Sequence, residues 1–480
     1  MACSKIFSGD LPELIQNEII QYFRKDFQHY PFSSKNHHFI EIYLSKLNKD
    51  VKTKLYKYGI NNNLVSSNTL LFNYPSFIKY LNINKILISI QTWVDTVVSK
   101  NQRKIVNLIS RSLLEMFIEN EGNLHSFEVY CTRYFDIHYF YDNLDLILQN
   151  PNLTYNIKSL TFRINGNSST QNIIKLLKFL YSNCNSISSM VIDYPINDIY
   201  YPSLIEKLLS QIIISQHNLR KISFEFGITI YSPFLSLKNS NCSNTLNTII
   251  FYYTDFKNII KVLYVESLYL LLEKFSDYLE NFGFGPKMFN KYYKPKQQLF
   301  EFITKYCKKI KYFESGIPAD NNIYLFIENN QHNINYLTIK VGTVVTDYYK
   351  ELSSTVLQNL GQSLPSKLEY LCLSLSFNIN DLEIFLKNSQ NTFIKKLLIN
   401  NIMMSKCDYI LFCMKKYIMK KERVKYLAIS QTGPSGYNII DLYLSKYEIN
   451  EYKLHNIIVQ PYNDLRIDIY SFINNNYLQY

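Results

Sequence analysis

Glycine and proline are scarce: Gly numbers 12 and Pro 13 in 480 residues, and no Pro/Gly/Ser-rich stretch separates one part of the chain from another. A chain this long ordinarily divides into domains, so the missing linkers favour an architecture that lengthens without dividing. Cysteine motifs are missing too. Cys3, Cys131, Cys184, Cys242, Cys307, Cys372, Cys407 and Cys413 form no Cys-x-x-Cys unit, which removes the common zinc frameworks. With no basic-then-apolar signal segment at the start, the thiols are expected to be reduced and the protein intracellular, in cytoplasm or nucleus. No apolar run reaches membrane-spanning length; Leu263–Leu272 is short and contains Glu266.

Catalytic signatures are also missing. There is no Gly-x-Ser-x-Gly, His-Glu-x-x-His or Asp-x-Asp-x-Asp-Gly, and the loop Gln431-Thr432-Gly433-Pro434-Ser435-Gly436 has neither phosphate-loop spacing nor a following Lys-Ser/Thr. His37-His38 has no carboxylate or thiol at ligand spacing. We therefore expect no enzyme, no cofactor and no metal. Lys+Arg 51 against Asp+Glu 39 gives a net charge of +12, but the lysines are dispersed, Arg is scarce and no nucleic-acid-binding motif occurs. Nucleic acid is thus not the expected partner. The densest patch, Lys415, Lys416, Lys420, Lys421 and Arg423, reads as a solvated helix face.

What the chain has is a repeated apolar triplet. It is clearest from Lys367 to Ile399, where Leu368-x-x-Leu371-x-Leu373 leads through a polar turn into the helical stripe Leu382, Phe385, Leu386, and the pattern restarts at Ile394-x-x-Leu397-x-Ile399. Period-two spacing puts Leu371 and Leu373 on one face of a strand, and the stripe puts one face of a helix against it. Similar triplets begin at Leu124, Ile157, Ile187, Leu219, Leu246, Leu279, Ile310, Ile334, Val424 and Leu454, with starts roughly 24 to 34 residues apart. The fold class is therefore α/β: a leucine-rich-repeat-like solenoid of strand–helix units, a parallel concave sheet inside and helices outside, with an α-helical N-terminal head.

The expected organisation is a head at 1–30, a helical capping region at 31–123, repeats at 124–465 and a tail at 466–480 that forms a polar turn or frays. Predicted cap helices are Phe39–Lys46, Pro75–Leu81, Ile86–Val98 and Ile105–Phe117. Outer helices are expected at Asn172–Tyr181, Pro202–Ser215, Ser267–Asp277, Gln297–Lys308, Ser353–Ser363, Leu382–Asn388 and Asp408–Lys421. Residues between the buried strand positions point away from the helices. One register collects Tyr312, Tyr336, Tyr370 and Tyr426, with Lys221 and Lys396 at the same place, beside Ser223, Glu225, Glu314, Thr338, Lys340, Cys372, Ser374 and Asn400. Tyrosine offers large contact area with a polar tip and suits recognition of a protein. Tyr312, Tyr336, Tyr370, Lys396 and Tyr426 are the candidate partner-binding residues.

Near the start, Leu11-Pro12-x-x-Ile15-x-x-Glu18-Ile19-x-x-Tyr22-Phe23 resembles the first half of an F-box, with Leu14 where that pattern prefers Glu. The family's following Leu-Val-Cys-Arg-x-Trp segment has no counterpart: Arg24–Pro31 leads directly into FSSKNHHFIEIYL, and the only Trp is Trp93. From MACSKIFSGDLPELIQNEIIQYF through YPSFIKYL, SNCSNTLNTIIFYY, FNINDLEIFLKNSQNTFIKKLLI and RVKYLAI, the chain resembles the expanded F-box-like families of Asn- and Ile-rich fungal proteins, here with a truncated F-box. Cys184-x-x-Ile187-x-x-Met190-x-Ile192, Cys307-x-x-Ile310-x-x-Phe313 and Cys242 before Leu246 resemble the cysteine-containing repeats of such proteins, in which the thiol packs at a helix end. The resemblance implies that Leu11, Pro12, Ile15, Ile19 and Phe23 contact a Skp-type adaptor of a cullin ubiquitin ligase, while the repeats hold an unknown substrate protein. The alternative is a stand-alone repeat scaffold whose F-box has decayed.

Overall fold

The computed structural model describes residues 39–60, 75 and 78–467, with breaks at 121–123, 132–133, 165–169, 194–201, 226–230, 243, 253–264, 285–292, 317–321, 342–346, 403–406, 420–421, 433–438, 442 and 444–445. They form two compact units divided after Cys242. Each unit alternates parallel strands with helices. The first contains α1 (Phe39–Ser45), α2 (Lys49–Lys57), β1 (Tyr80–Asn82), α3 (Ile83–Val97), α4 (Gln102–Glu119), β2 (Ser126–Cys131), α5 (Tyr134–Asp142), α6 (Leu144–Gln149), β3 (Ser159–Ile164), α7 (Thr170–Asn183), β4 (Ser189–Asp193), α8 (Pro202–Ser215), β5 (Lys221–Glu225) and α9 (Tyr231–Ser236). β1 to β5 are paired in sequence order, all parallel.

The second unit contains β6 (Thr248–Tyr252), α10 (Val265–Phe275), β7 (Asn281–Phe284), α11 (Tyr293–Tyr306), β8 (Tyr312–Gly316), α12 (Asn322–Asn329), β9 (Tyr336–Lys340), α13 (Asp347–Ser363), β10 (Lys367–Leu375), α14 (Ile379–Asn388), β11 (Phe393–Asn401), α15 (Cys407–Ile418), β12 (Val424–Thr432), β13 (Ile439–Asp441), α16 (Lys446–Lys453), β14 (Ile458–Val459) and α17 (Tyr462–Leu465). β6 to β12 are again parallel neighbours in order. β13 adds antiparallel to one end of β12, and β14 adds parallel to the other.

The triplets set this arrangement. Phe127, Leu160, Met190 and Ile222 align in one row, and Ile249, Phe282, Phe313, Leu337, Leu371, Leu397 and Leu427 in another. All of them are buried. Phe313 stacks on Phe300 of α11 and Phe326 of α12 at 5.6 and 4.4 Å between ring centroids, so this row faces the helices. The repeats also share one backbone device at the strand entrance, where a single carbonyl of the preceding strand accepts two successive N–H groups. Lys158 O accepts from Ser188 and Ser189, Glu280 O from Lys311 and Tyr312, and Asn335 O from Glu369 and Tyr370. Recurrence of that geometry marks these units as copies of one structural design.

Asparagine, so frequent here, works at helix ends. At N-termini the side chains of Asn48, Asn82 and Asn378 accept from the N–H groups of Val51, Lys85 and Asp381, satisfying donors that a helix leaves open. At C-termini Asn120, Asn150, Asn183 and Asn330 donate to the carbonyl four residues back. Gly361 marks a close approach of α13 to α14: a Cβ there would meet Phe385 O and Asn388 Cβ at 2.9 Å.

Three expectations are corrected. Tyr80–Asn82 falls in a strand paired with Ser126–Glu128 rather than at the end of a helix from Pro75; the ladder supplied by β2 outweighs the local helical pattern. At the last triplet the row partner of Leu427 is Val459, not Ile457. That slip of two residues keeps the same face inward, and Leu454 is left 83% exposed in the turn after α16. Arg466 and Ile467 do not fray: Ile467 packs on the sheet.

Candidate recognition surface

Alternation along each strand gives the second unit a face opposite its helices. There Tyr312, Tyr336, Tyr370, Lys396 and Tyr426 do share one row, strand after strand. The Tyr312 and Tyr336 rings stack at 6.3 Å between centroids, and Tyr336 and Tyr370 follow at 6.4 Å with a wider tilt. Lys396 holds its ammonium 6.0 Å from the Tyr426 ring centre, within the range of a cation–π contact. Cys372, Leu398 and Ala428 form the adjoining row.

Openness is another matter. Tyr312, Tyr370, Cys372 and Leu398 are 0% exposed, whereas Tyr336, Lys396 and Tyr426 are half-buried. The cover comes from the end of the described chain, for Tyr462 and Leu465 share one buried cluster with Tyr370, Cys372, Leu398 and Ala428, and Ile467 packs against it. Ile467 also packs against the pair Ile250 and Tyr312. Placing Tyr312 and Tyr370 on an open surface is therefore corrected. They lie on the expected face, beneath a segment of their own chain.

Local chemistry explains how the segment gets there. Gln460 N–H donates to Leu427 O and prolongs the β14–β12 ladder by one bond. Pro461 has no N–H to continue it, so pairing ends and the chain turns. Asp441, at the end of β13, accepts from the Tyr462 N–H at 2.8 Å and from the Tyr443 N–H at 3.0 Å. The hydroxyl of Tyr370 accepts from the Ile467 N–H at 3.1 Å, and that of Tyr462 meets Cys372 Sγ at 3.4 Å. Burial raises both hydroxyls well above the ordinary tyrosine pKa, so both stay protonated. The signal in the sequence was Tyr462-x-x-Leu465-x-Ile467 directly after a proline, a pattern outside the repeat and therefore easy to pass over.

At its other side the ladder rests on a buried ion pair. Glu314 accepts from Lys340 Nζ at 2.8 Å, and the two side chains are 3% and 13% exposed. Tyr312 donates its hydroxyl to the other carboxylate oxygen at 2.8 Å. Tyr312 is held protonated by burial first and then by the Glu314 charge.

In the first unit the strand face turned away from the buried row carries charged residues. Arg163, Asp193 and Glu225 are register partners on β3, β4 and β5, and Arg163 reaches past β4 to pair with Glu225 at 2.9 Å. Asp193 lies between them, pushed up to about 6 by burial and then by the Glu225 charge, with Arg163 opposing. Lys221 is pushed down to about 7 by burial and then by Arg220. A carboxyl with a raised pKa holds its proton more tightly in the folded state. Its contribution is therefore fullest below the ordinary carboxylate pKa and declines as pH rises towards 6. Asp193→Asn should stabilise the fold and raise the melting temperature at pH 7.5, by a free energy on the order of 2 kcal/mol, and should do so by only about a third as much at pH 4.5. Equal shifts at both pH values would show that the Asp193 charge is not strained.

Cys184, Cys242 and Cys307 are buried. Cys184 donates to Thr154 O at 3.4 Å; burial raises its thiol to about 11 and that of Cys307 to about 12, which makes both poor nucleophiles. In the lysine patch, Lys416 pairs with Glu383 at 2.7 Å and Lys415 pairs with Glu451, while Arg423 is buried against the Ser389 carbonyl. Lys420 and Lys421 lie outside the described residues, as do His37, His38 and the adaptor-binding positions Leu11, Pro12, Ile15, Ile19 and Phe23. Among the described residues no group of three or more His, Cys, Asp and Glu forms a metal-binding cluster, and no helix is long and apolar enough to cross a membrane. No protein-family model matches the chain, and no curated protein matches it.

Proposed function

We propose that the chain is a non-catalytic, leucine-rich-repeat-like protein-binding subunit. Its head, Leu11–Phe23, engages a Skp-type adaptor, and the helix-free face of its second unit recognises a substrate protein for a cullin-type ubiquitin ligase. The observation that carries the binding role is the single row Tyr312, Tyr336, Tyr370, Lys396, Tyr426. Within it Tyr336, Lys396 and Tyr426 stay half-open and offer aromatic area with little rotamer entropy to lose and one cation for orientation, while Tyr312 and Tyr370 lie beneath Tyr462–Ile467. The adaptor role rests on the head's resemblance to an F-box. The departure at Arg24–Pro31 favours a second reading, a repeat scaffold that works without an adaptor.

A pull-down separates the two. Purified full-length protein should retain a fungal Skp-type adaptor, and the double variant Leu11→Ala/Ile15→Asp should lose it. No retention by the wild type would remove the ligase role and leave the scaffold reading.

A further inference from the structure

We infer that Tyr462–Ile467 is an intramolecular ligand of the tyrosine-lined face, and that the partner segment which displaces it carries the same chemistry: an aromatic residue followed three and five positions later by aliphatic ones. The inference rests on the reading of this face as a protein-binding surface and names what it binds.

The repeats complete their apolar core on the other face, where the Leu371, Leu397 and Leu427 row is buried toward the helices. What Tyr462, Leu465 and Ile467 cover is a separate cluster, centred on Tyr370, Cys372, Leu398 and Ala428. The covering segment has the build of a bound peptide. α17 is a single turn of four residues, too short to hold its shape unaided, so the face itself supplies the ordering. Polar ties fix the segment along its length: Asp441 holds the Tyr462 N–H at the start, the Tyr462 hydroxyl meets Cys372 Sγ, and the Tyr370 hydroxyl holds the Ile467 N–H at the end. Between them the side chains at 462, 465 and 467 make the apolar contacts, as anchors do in peptide recognition. A tethered ligand acts at an effective concentration in the millimolar range for a short connection. The face is then closed to weak competitors and open to a segment that binds more tightly or in several places.

The test uses the full-length chain and a labelled peptide of residues 460–467. In the variant Tyr462→Ala/Leu465→Ser, alkylation of Cys372, followed by mass spectrometry of its peptide, should speed at least about 10-fold, because Cys372 loses its cover. The added peptide should bind this variant at least about 10-fold more tightly than it binds the wild type and should restore protection of Cys372. A folded variant in which Cys372 stays protected, or which binds the peptide no better than wild type, would overturn the inference. Should the variant fail to fold, hydrogen exchange on the wild type decides. The amides of Leu465, Arg466 and Ile467 should exchange at least about 10-fold faster than those of Leu371 and Leu397. Exchange of both sets only through one common unfolding would mean that the segment is fixed structure and no ligand. These outcomes are independent of adaptor retention. A failed pull-down with successful peptide displacement removes the ligase role alone, and the reverse removes only the intramolecular ligand.

Discussion

Leu397→Asp should destabilise the second unit by at least about 4 kcal/mol and lower its melting temperature by roughly 10 °C. Leu397 is 0% exposed and lies in register between Leu371 and Leu427, in the row that faces the helices. Two costs combine there. Losing the leucine side chain forfeits its burial and leaves a cavity, and the new carboxylate has no cation within the row to meet it. Repeats touch only their neighbours, so the damage should spread outward from β11. Amides of β10 and β12 should therefore exchange faster before those of β6 and β7 do. Phe393→Asp, on the same strand at a position 39% exposed, is the control and should cost clearly less than Leu397→Asp, because it places the carboxylate where water reaches it. A thermal melt of Leu397→Asp that overlays the wild type would mean the core row has been assigned to the wrong face.

The parts of the fold legible in the sequence are those that depend on spacing. A buried strand position must be apolar and must recur at each repeat, so Leu371, Leu397 and Leu427 announce one another, and the strand rows follow. The tyrosine row was legible by the same argument, since it sits one position before each central apolar residue. Features that depend on what packs from outside the repeat were not. Nothing in Tyr80-Leu81-Asn82 itself marks a strand, because β2 supplies the reason for it. Gly361 sits inside a helix, and only the packing shows why: a Cβ there would meet Phe385 O and Asn388 Cβ of α14 at 2.9 Å. Burial of the ladder was the largest omission. Periodicity says which way Tyr370 points, but not that Leu465 comes back over it. Asparagine was legible only as composition; its placement at both ends of helices gives that composition a structural purpose.

Glu314 offers the sharpest separation between a charge that stabilises and a charge that is merely tolerated. Glu314→Ala should cost about 3 to 5 kcal/mol, because it leaves the Lys340 ammonium in a nearly closed site with its partner gone. It also takes away the carboxylate to which the Tyr312 hydroxyl donates. Lys340→Met should cost a similar amount by stranding the carboxylate, which is only 3% exposed. The double variant Glu314→Leu/Lys340→Met should recover most of that loss, since replacing both ions of a buried pair by apolar groups of similar volume is often neutral. Urea unfolding of the three variants measures the coupling directly. Recovery in the double variant would mean that the pair's role is orientation, holding Tyr312 at the end of the ladder so that Tyr336 and Tyr370 can stack beyond it. Additive losses would instead make each ion independently stabilising, and the carboxylate would then have to be satisfied by groups other than Lys340. Recovery carries a further consequence for binding: a double variant that is stable but has lost the Tyr312 hydroxyl's acceptor should hold the 460–467 segment less firmly at Ile467, and the Ile467 amide should exchange faster than in the wild type.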